Sequence, residues 1–386
     1  MMPRRHYTPE QEAFRDSFRA FLDREVVPNR AHYRAAGMVD RALYHKAGEN
    51  GFLCSWVDEA YGGLGLKDYR YDQIMQEECA RSLESGIWTG ALNRNAPPYI
   101  AKYGSEAQKR HYLPKLASGE MICGIAMTEP DAGSDIAGFK TRADRHADGT
   151  WRLRGGKTYI SYGIIAELFV VAAKTNPENP RELGLFLVES SMPGFRRGRK
   201  LEKLGFETQD TAELFFDDIA LQPLHVIGDP ARGFEYMRGG LAEERLTTSG
   251  QSLPWAWRAV ELTLDFVTQR QAFGQRVVDF QNTKFKLAEM LAELQAAQAF
   301  LDHCVRLFND GELDPATAAA LKLKTTELQG RVVDECVQLH GSAGYMKEYP
   351  ICQLYADARI FRIFAGTSEV MKIVIARDML DKGIGA

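Results

Sequence analysis

Six cysteines in 386 residues are too few for a disulfide scaffold. Cys54, Cys79, Cys123, Cys304, Cys336 and Cys352 include no C-x-x-C pair, so buried thiols in a reducing cytoplasm are expected. The eight histidines form neither H-x-x-x-H nor H-x-x-E, and no metal site is expected. No apolar run approaches the roughly 20 residues that a membrane helix requires, which argues against a membrane partner. Forty-eight basic residues against 52 acidic ones give a net charge of −4. Without a clustered basic excess, no nucleic-acid partner is expected. Arg4 and Arg5 have no apolar stretch behind them; Thr8-Pro9-Glu10-Gln11 instead reads as a capped helix start, so no signal peptide is expected. No G-x-G-x-x-G follows a strand, which removes the support for a Rossmann fold. Gly155-Gly156-Lys157-Thr158 resembles the end of a phosphate loop, but Trp151 stands at the required first glycine. The β-prone Tyr159-Ile160-Ser161-Tyr162 also follows where a helix must begin.

At about 150 residues per domain, the length predicts two or three domains. Residues 1–120 show helical spacing, as in Phe14, Phe18, Phe21 and Leu22, broken at Pro28, Gly62-Gly63 and Pro97-Pro98. Residues 121–232 change to short β-rich runs: Trp151–Arg154 after an Asp148-Gly149 turn, then Phe169–Val171, Leu185–Val188 and Leu214–Phe216. Residues 233–386 are helical again. Leu287, Leu291, Leu294, Gln298, Leu301, Val305 and Phe308 step by three or four to a stop at Gly311. Asp314-Pro315 opens a further helix that runs to Gly341. This order is α+β: an N-terminal helical domain, a central antiparallel, barrel-like β-domain and a C-terminal four-helix-type bundle.

Four polar, glycine-bearing segments interrupt these elements. Met127-Thr128-Glu129-Pro130-Asp131-Ala132-Gly133-Ser134-Asp135 is a tight loop of hydroxyls and backbone N–H groups. In Thr158–Ser161, strand alternation puts Tyr159 and Ser161 on one face. Gln269–Gln275 joins Arg270 to Phe273 on a loop between two helices, a cation for phosphate beside an aromatic for stacking. Gln338–Tyr345 and Ala365-Gly366-Thr367-Ser368-Glu369 carry glycines ahead of an apolar helix, a pattern suited to phosphate at a helix N-terminus. Alone, the first reads as a solvated turn and the second as a half-buried edge strand.

Together, T-E-P-x-A-G-S-D, R-x-x-F-G and the late Q-x-x-G…G-T block resemble the acyl-CoA dehydrogenase family from about residue 8 to 380. Lys203-Leu204-Gly205 through Asp210-Thr211 and Leu214–Asp218 add to the resemblance. It implies FAD as cofactor, an acyl-CoA substrate and an electron-transfer flavoprotein as electron acceptor. Carried over by position, Met127 and Thr128 contact the flavin and Ser134 faces both cofactor and coenzyme A. Tyr159 packs on the isoalloxazine and Ser161 reaches its N5 region. Arg270, Phe273, Gln281, Gln338, Gly341 and Ser342 hold the FAD diphosphate and adenine across a subunit interface; Thr367 and Glu369 complete the set. The interface implies a homo-oligomer, and the family pattern a tetramer. Ser342 departs from a usual glycine and Tyr162 from a common asparagine.

Removing a proton α to a thioester requires a carboxylate at that carbon. Many relatives place a glutamate directly before the C-terminal G-T, but here that residue is Ala365. Long-chain and isovaleryl types instead place a glutamate before an arginine on an earlier helix. Gly240-Leu241-Ala242-Glu243-Glu244-Arg245 supplies that pattern, with Glu244 as the base and Arg245 beside the substrate. Glu243 and Glu244 differ by about 100° around a helix, so only one is expected to face the cavity. The Ala365 N–H, with Gly366 next to it and a flavin ribityl hydroxyl, is expected to bind the thioester oxygen. The small residues Thr247–Gly250 suggest room for a medium- or long-chain or methyl-branched acyl group, including isoprenoid acids such as citronellyl-CoA. An acyl-CoA oxidase, a flavin monooxygenase or a silent acyl-CoA-binding scaffold remains as an alternative on the same fold.

Overall fold

The computed structural model describes residues 4, 6–87, 89–179 and 181–383; Arg5 lies outside them. The first helices are α1 (Pro9–Phe21), α2 (Arg30–Ala36), α3 (Arg41–Glu49), α4 (Arg70–Ser82), α5 (Thr89–Arg94), α6 (Pro97–Tyr103) and α7 (Glu106–Ala117). Thr8 and Gln11 form the reciprocal capping box that the sequence predicts for α1. Eight strands follow: β1 (Cys123–Ala126), β2 (Arg142–Arg145), β3 (Trp151–Ser161), β4 (Leu168–Lys174), β5 (Leu183–Glu189), β6 (Phe195–Lys200), β7 (Thr211–Leu221) and β8 (Val226–Ile227). The C-terminal part comprises α8 (Gly233–Gln269), β9 (Gln271–Ala272), β10 (Gln275–Arg276), α9 (Gln281–Asn309), α10 (Pro315–His340), α11 (Pro350–Ala358) and α12 (Ser368–Lys382).

The strands form one sheet in the order β6-β7-β3-β2-β4-β5-β8, with β1 on β4. Most pairs are antiparallel as expected, but β1 and β2 both run parallel to β4. Alternate residues of β4 enter different cores. Phe169, Val171 and Ala173 share a core with α1 and α3, whereas Leu168, Val170 and Ala172 share one with Tyr99 of α6 and Tyr112 and Leu116 of α7. Both faces are covered, which explains why β4 and β5 read as unbroken apolar runs.

The 37-residue α8 joins the two halves. Its first turns place Tyr236 and Met237 in the sheet core, and Leu246, Leu253 and Trp255 continue into the C-terminal core with α9 and α10. Asp314 caps α10 by accepting from the N–H groups of Ala316 and Thr317. Gly311 has φ +76°, the left-handed conformation expected where α9 stops. The segment around Arg270 and Phe273 is a short hairpin of β9 and β10, where the sequence suggested a loop. Two residues per strand are too few for an alternating pattern to register.

Candidate active site

Ten successive α8 residues around the E-E-R run are at most partly exposed, and several polar groups must find partners within the protein. Glu243 is 4% exposed and accepts from Arg94 Nη1 at 3.1 Å and Lys102 Nζ at 2.6 Å. Arg94 also grips Asp72 and lies 4.9 Å from the Trp56 ring centre. Glu244 leaves the helix in a different direction, where its Oε1 accepts from the Tyr99 hydroxyl at 2.9 Å. It forms no ion pair among the described residues. Burial pushes its pKa up to about 7; the Tyr99 hydrogen bond opposes this, and the nearby Glu243 charge reinforces it.

Both glutamates border one cleft between α6 and α8, together with Arg94, Pro98, Tyr99 and Lys102. The difference between them is chemical: Glu243 is paired with two cations, whereas the partner of Glu244 is the neutral Tyr99 hydroxyl. Gly240 makes the arrangement possible, because a Cβ there would stand 2.8 Å from the Tyr99 hydroxyl. Arg245 turns away to the Pro315 carbonyl at 3.1 Å and does not border the cleft.

The small residues after Glu244 do not open a chamber. A Cβ on Gly250 would lie 2.2 Å from Gln76 Oε1. Thr247 accepts from Tyr69, and Thr248 and Ser249 donate back to the carbonyls of Glu244 and Arg245. These positions admit α4 side chains, so they carry no argument about acyl length.

The loop from Met127 to Asp135 is fixed at its base. Lys157 Nζ donates to the Met127 carbonyl at 2.7 Å and to Glu129 at 2.8 Å. Glu129 also accepts from the N–H groups of Lys140 and Thr141. Thr158 N–H donates to the Thr128 carbonyl at 2.9 Å, which places Thr128 beside the strand that carries Tyr159 and Ser161. Tyr159 is 67% exposed and Ser161 half-buried, on either side of the buried Ile160. Pairing of β3 with β7 shifts register across this segment, and Tyr159 has φ +58°. Tyr162, at φ +59°, occupies a conformation that asparagine adopts readily. Its ring is buried edge-on against Tyr44. Ser134 is exposed at the loop's end.

Arg270, Phe273 and Gln281 lie exposed on the hairpin and at the head of α9; Phe273 is 97% exposed with φ +51°. Gln338 and Ser342 are exposed at the end of α10. Between them Gly341 takes φ +59° and ψ −138°, a conformation reserved for glycine, with open space where a Cβ would be. Ser342 has no positive φ, so the backbone does not require a second glycine there. Thr367 caps α12 by accepting from Val370 N–H, and Glu369 is exposed in its first turn. Ala365 and Gly366 form a left-handed turn at φ +52° and +90°.

Residues 8–120, 124–219 and 231–380 match, respectively, the N-terminal, middle and C-terminal domains of acyl-CoA dehydrogenases. The chain belongs to the acyl-CoA dehydrogenase family. It is 42% identical to the mitochondrial long-chain specific acyl-CoA dehydrogenase of Sus scrofa, across 98% of this chain and 88% of the relative. Identity to the mitochondrial isovaleryl-CoA dehydrogenase of Oryza sativa is 34%, across 96% and 91%. The acyl-CoA dehydrogenase of Geobacillus kaustophilus superposes with a TM-score of 0.95 at 42% identity, covering 98% of this chain and all of that one. The protein is thus a flavin-dependent acyl-CoA dehydrogenase with FAD as its cofactor. The residues present suit that group: an anchored loop of N–H and hydroxyl groups, an exposed tyrosine face beside it, and a glycine backbone open to close approach.

Sequence reasoning did not find Tyr99, Arg94 or Gly240 as parts of the site. Pro97-Pro98 registers only as a helix break, and nothing local marks the next residue as a partner for a glutamate 145 positions away.

Proposed function

We propose that this protein converts a medium- or long-chain or methyl-branched acyl-CoA, isoprenoid acids such as citronellyl-CoA included, to the trans-2-enoyl-CoA, with Glu244 as the base. One observation carries the reading. Glu244 is buried beside Tyr99 with its pKa raised to about 7 and makes no ion pair among the described residues, while Ala365, where many relatives carry a glutamate, offers only a methyl group. A carboxyl so poised takes up a proton near neutral pH. The Glu244 carboxylate removes the α-proton, the C–H electrons form the new double bond, and the β-hydrogen departs with its electron pair. FAD, when bound, supplies the acceptor for that hydrogen and its two electrons.

Negative charge gathers on the thioester oxygen as the α-proton leaves. The Ala365 N–H, which makes no hydrogen bond among the described residues and lies in a left-handed turn, is the donor assigned to that oxygen. Met127, Thr128, Tyr159 and Ser161 hold the flavin ring, with Thr367 and Glu369 at its far end, and Ser134 faces coenzyme A. Arg270, Phe273, Gln281, Gln338, Gly341 and Ser342 serve the FAD of a second subunit in a homotetramer; their exposure in the single chain supports this. An electron-transfer flavoprotein then takes the electrons, in the cytoplasm.

Anaerobic titration with butyryl-, octanoyl-, palmitoyl-, isovaleryl- and citronellyl-CoA tests the proposal by flavin bleaching. Octanoyl-, palmitoyl- or a branched acyl-CoA is expected to bleach the wild type fastest. Glu244→Gln should keep FAD but reduce it on the order of 10³-fold more slowly. Near-normal bleaching in that variant rejects Glu244 as the base.

A further inference from the structure

Lys322 lies in the middle of α10 with 0% exposure. Another fully buried lysine, Lys157, has Glu129 as a counter-ion. Lys322 has no ion-pair partner among the described residues. Its ammonium donates to two backbone carbonyls, those of Phe361 at 3.0 Å and Gly366 at 2.7 Å. An ammonium withdrawn from water onto neutral acceptors is costly, so a replaceable packing role would favour an apolar side chain.

The two carbonyls bracket the segment that contains Ala365. Alanine at φ +52° is strained by about 1 kcal/mol or more, and such a conformation persists only where its surroundings impose it. Lower on α10, Glu327 accepts from the Ser368 hydroxyl at 2.5 Å, fixing the far side of the same turn. Burial and the nearby Arg245 charge lower the Lys322 pKa to about 8, which leaves it mainly an ammonium at neutral pH.

We propose that Lys322 is a positioning residue for the dehydrogenation: by clamping the Phe361 and Gly366 carbonyls it holds the Ala365 N–H where the thioester oxygen binds. The inference rests on the role given to Ala365 above. It also places a positive charge behind the turn that faces the developing enolate, with no charge of its own in contact with substrate.

The test compares FAD-loaded wild type with Lys322→Met, which preserves bulk and removes the donor. Amide hydrogen exchange over residues 359–367 should accelerate at least about tenfold in the variant, with α9 unchanged. The limiting rate of flavin reduction by the best acyl-CoA of the panel should fall on the order of 10- to 100-fold, while the half-saturating concentration changes less than about threefold. Lys322→Gln keeps a donor on a shorter arm and should show smaller changes in both; it also serves if the methionine variant does not hold FAD. Wild-type exchange at the turn, or faster exchange with an unchanged limiting rate, overturns the proposal. If no acyl-CoA bleaches the wild type, the assigned reaction fails, and exchange still decides whether Lys322 holds the turn.

Discussion

The Tyr99 hydroxyl donates a 2.9 Å hydrogen bond to Glu244 Oε1, binding a phenol from α6 to the carboxyl on α8. This bond favours the carboxylate, whereas burial favours the protonated acid. Burial wins, and the group titrates at about 7. A base must be ionised to accept a proton, so kcat/KM should rise with pH through that value. Tyr99→Phe removes the opposing hydrogen bond. A bond to a charged group contributes roughly 1.5–3 kcal/mol, so the acid limb should move upward by about one to two pH units. Rapid-mixing measurements of flavin reduction across pH check this; a downward shift would contradict the arrangement.

Gly240 permits that bond. A Cβ there would lie 2.8 Å from the Tyr99 oxygen and 3.2 Å from its ring carbon, but 3.7 Å from Glu244. Gly240→Ala should therefore displace the tyrosine and leave the glutamate in place. Alanine gains roughly 1 kcal/mol of helix propensity, which offsets part of the steric cost. Melting temperature should change little, while the pH profile moves as in Tyr99→Phe. The double variant should show no additional shift, since both changes act on one bond.

Local chemistry in the sequence carried much of the architecture. Thr8 with Gln11, Asp314 with Pro315, and Gly311 mark helix ends because their capping bonds span only a few residues. Phe169–Val171 and Leu185–Val188 announce strands buried on both faces. The polar support of Glu244 and Glu243 is different: Arg94 meets Glu243 across 149 positions, and Lys322 reaches Gly366 across 44. Such pairs depend on how helices pack, and no periodicity encodes them. The left-handed turns at Tyr159, Tyr162 and Ala365 are equally silent, because none of these residue types announces a positive φ. The family pattern of a glutamate directly before an arginine singles out Glu244, and the folded chain adds what the motif does not carry: Glu243 is paired with Arg94 and Lys102, whereas Glu244 has Tyr99.

The raised pKa of Glu244 has a consequence for stability. In the unfolded chain a glutamate titrates near 4.3, whereas folding moves this one to about 7. The folded state therefore holds the proton more tightly. The associated stability is fully present below the unfolded pKa and is lost as pH rises through about 7. Glutamine cannot ionise and can still accept from Tyr99. Glu244→Gln should match the wild type near pH 4 and exceed it by roughly 3–4 kcal/mol well above pH 7. Denaturant unfolding of the two proteins at several pH values measures the difference, which should close on acidification.

If the 127–135 loop holds the flavin, as proposed, Lys157 should couple the β-domain's packing to cofactor retention. Its ammonium is fully buried, joins Glu129 to the Met127 carbonyl, and lies 4.0 Å from the Phe139 ring centre. Lys157→Met would leave the Glu129 carboxylate buried without its cation, a change that typically costs about 3–5 kcal/mol. It would also release the Met127 carbonyl at the start of the flavin loop. Thermal stability should fall, and the purified protein should carry much less than one FAD per chain by absorbance. Adding Glu129→Gln removes the stranded charge and should recover part of the stability, because the backbone N–H groups of Lys140 and Thr141 retain an acceptor. It does not restore the bond to Met127, so flavin content should remain low. Recovery of both would assign the original loss to charge burial alone and remove the loop anchor from the account.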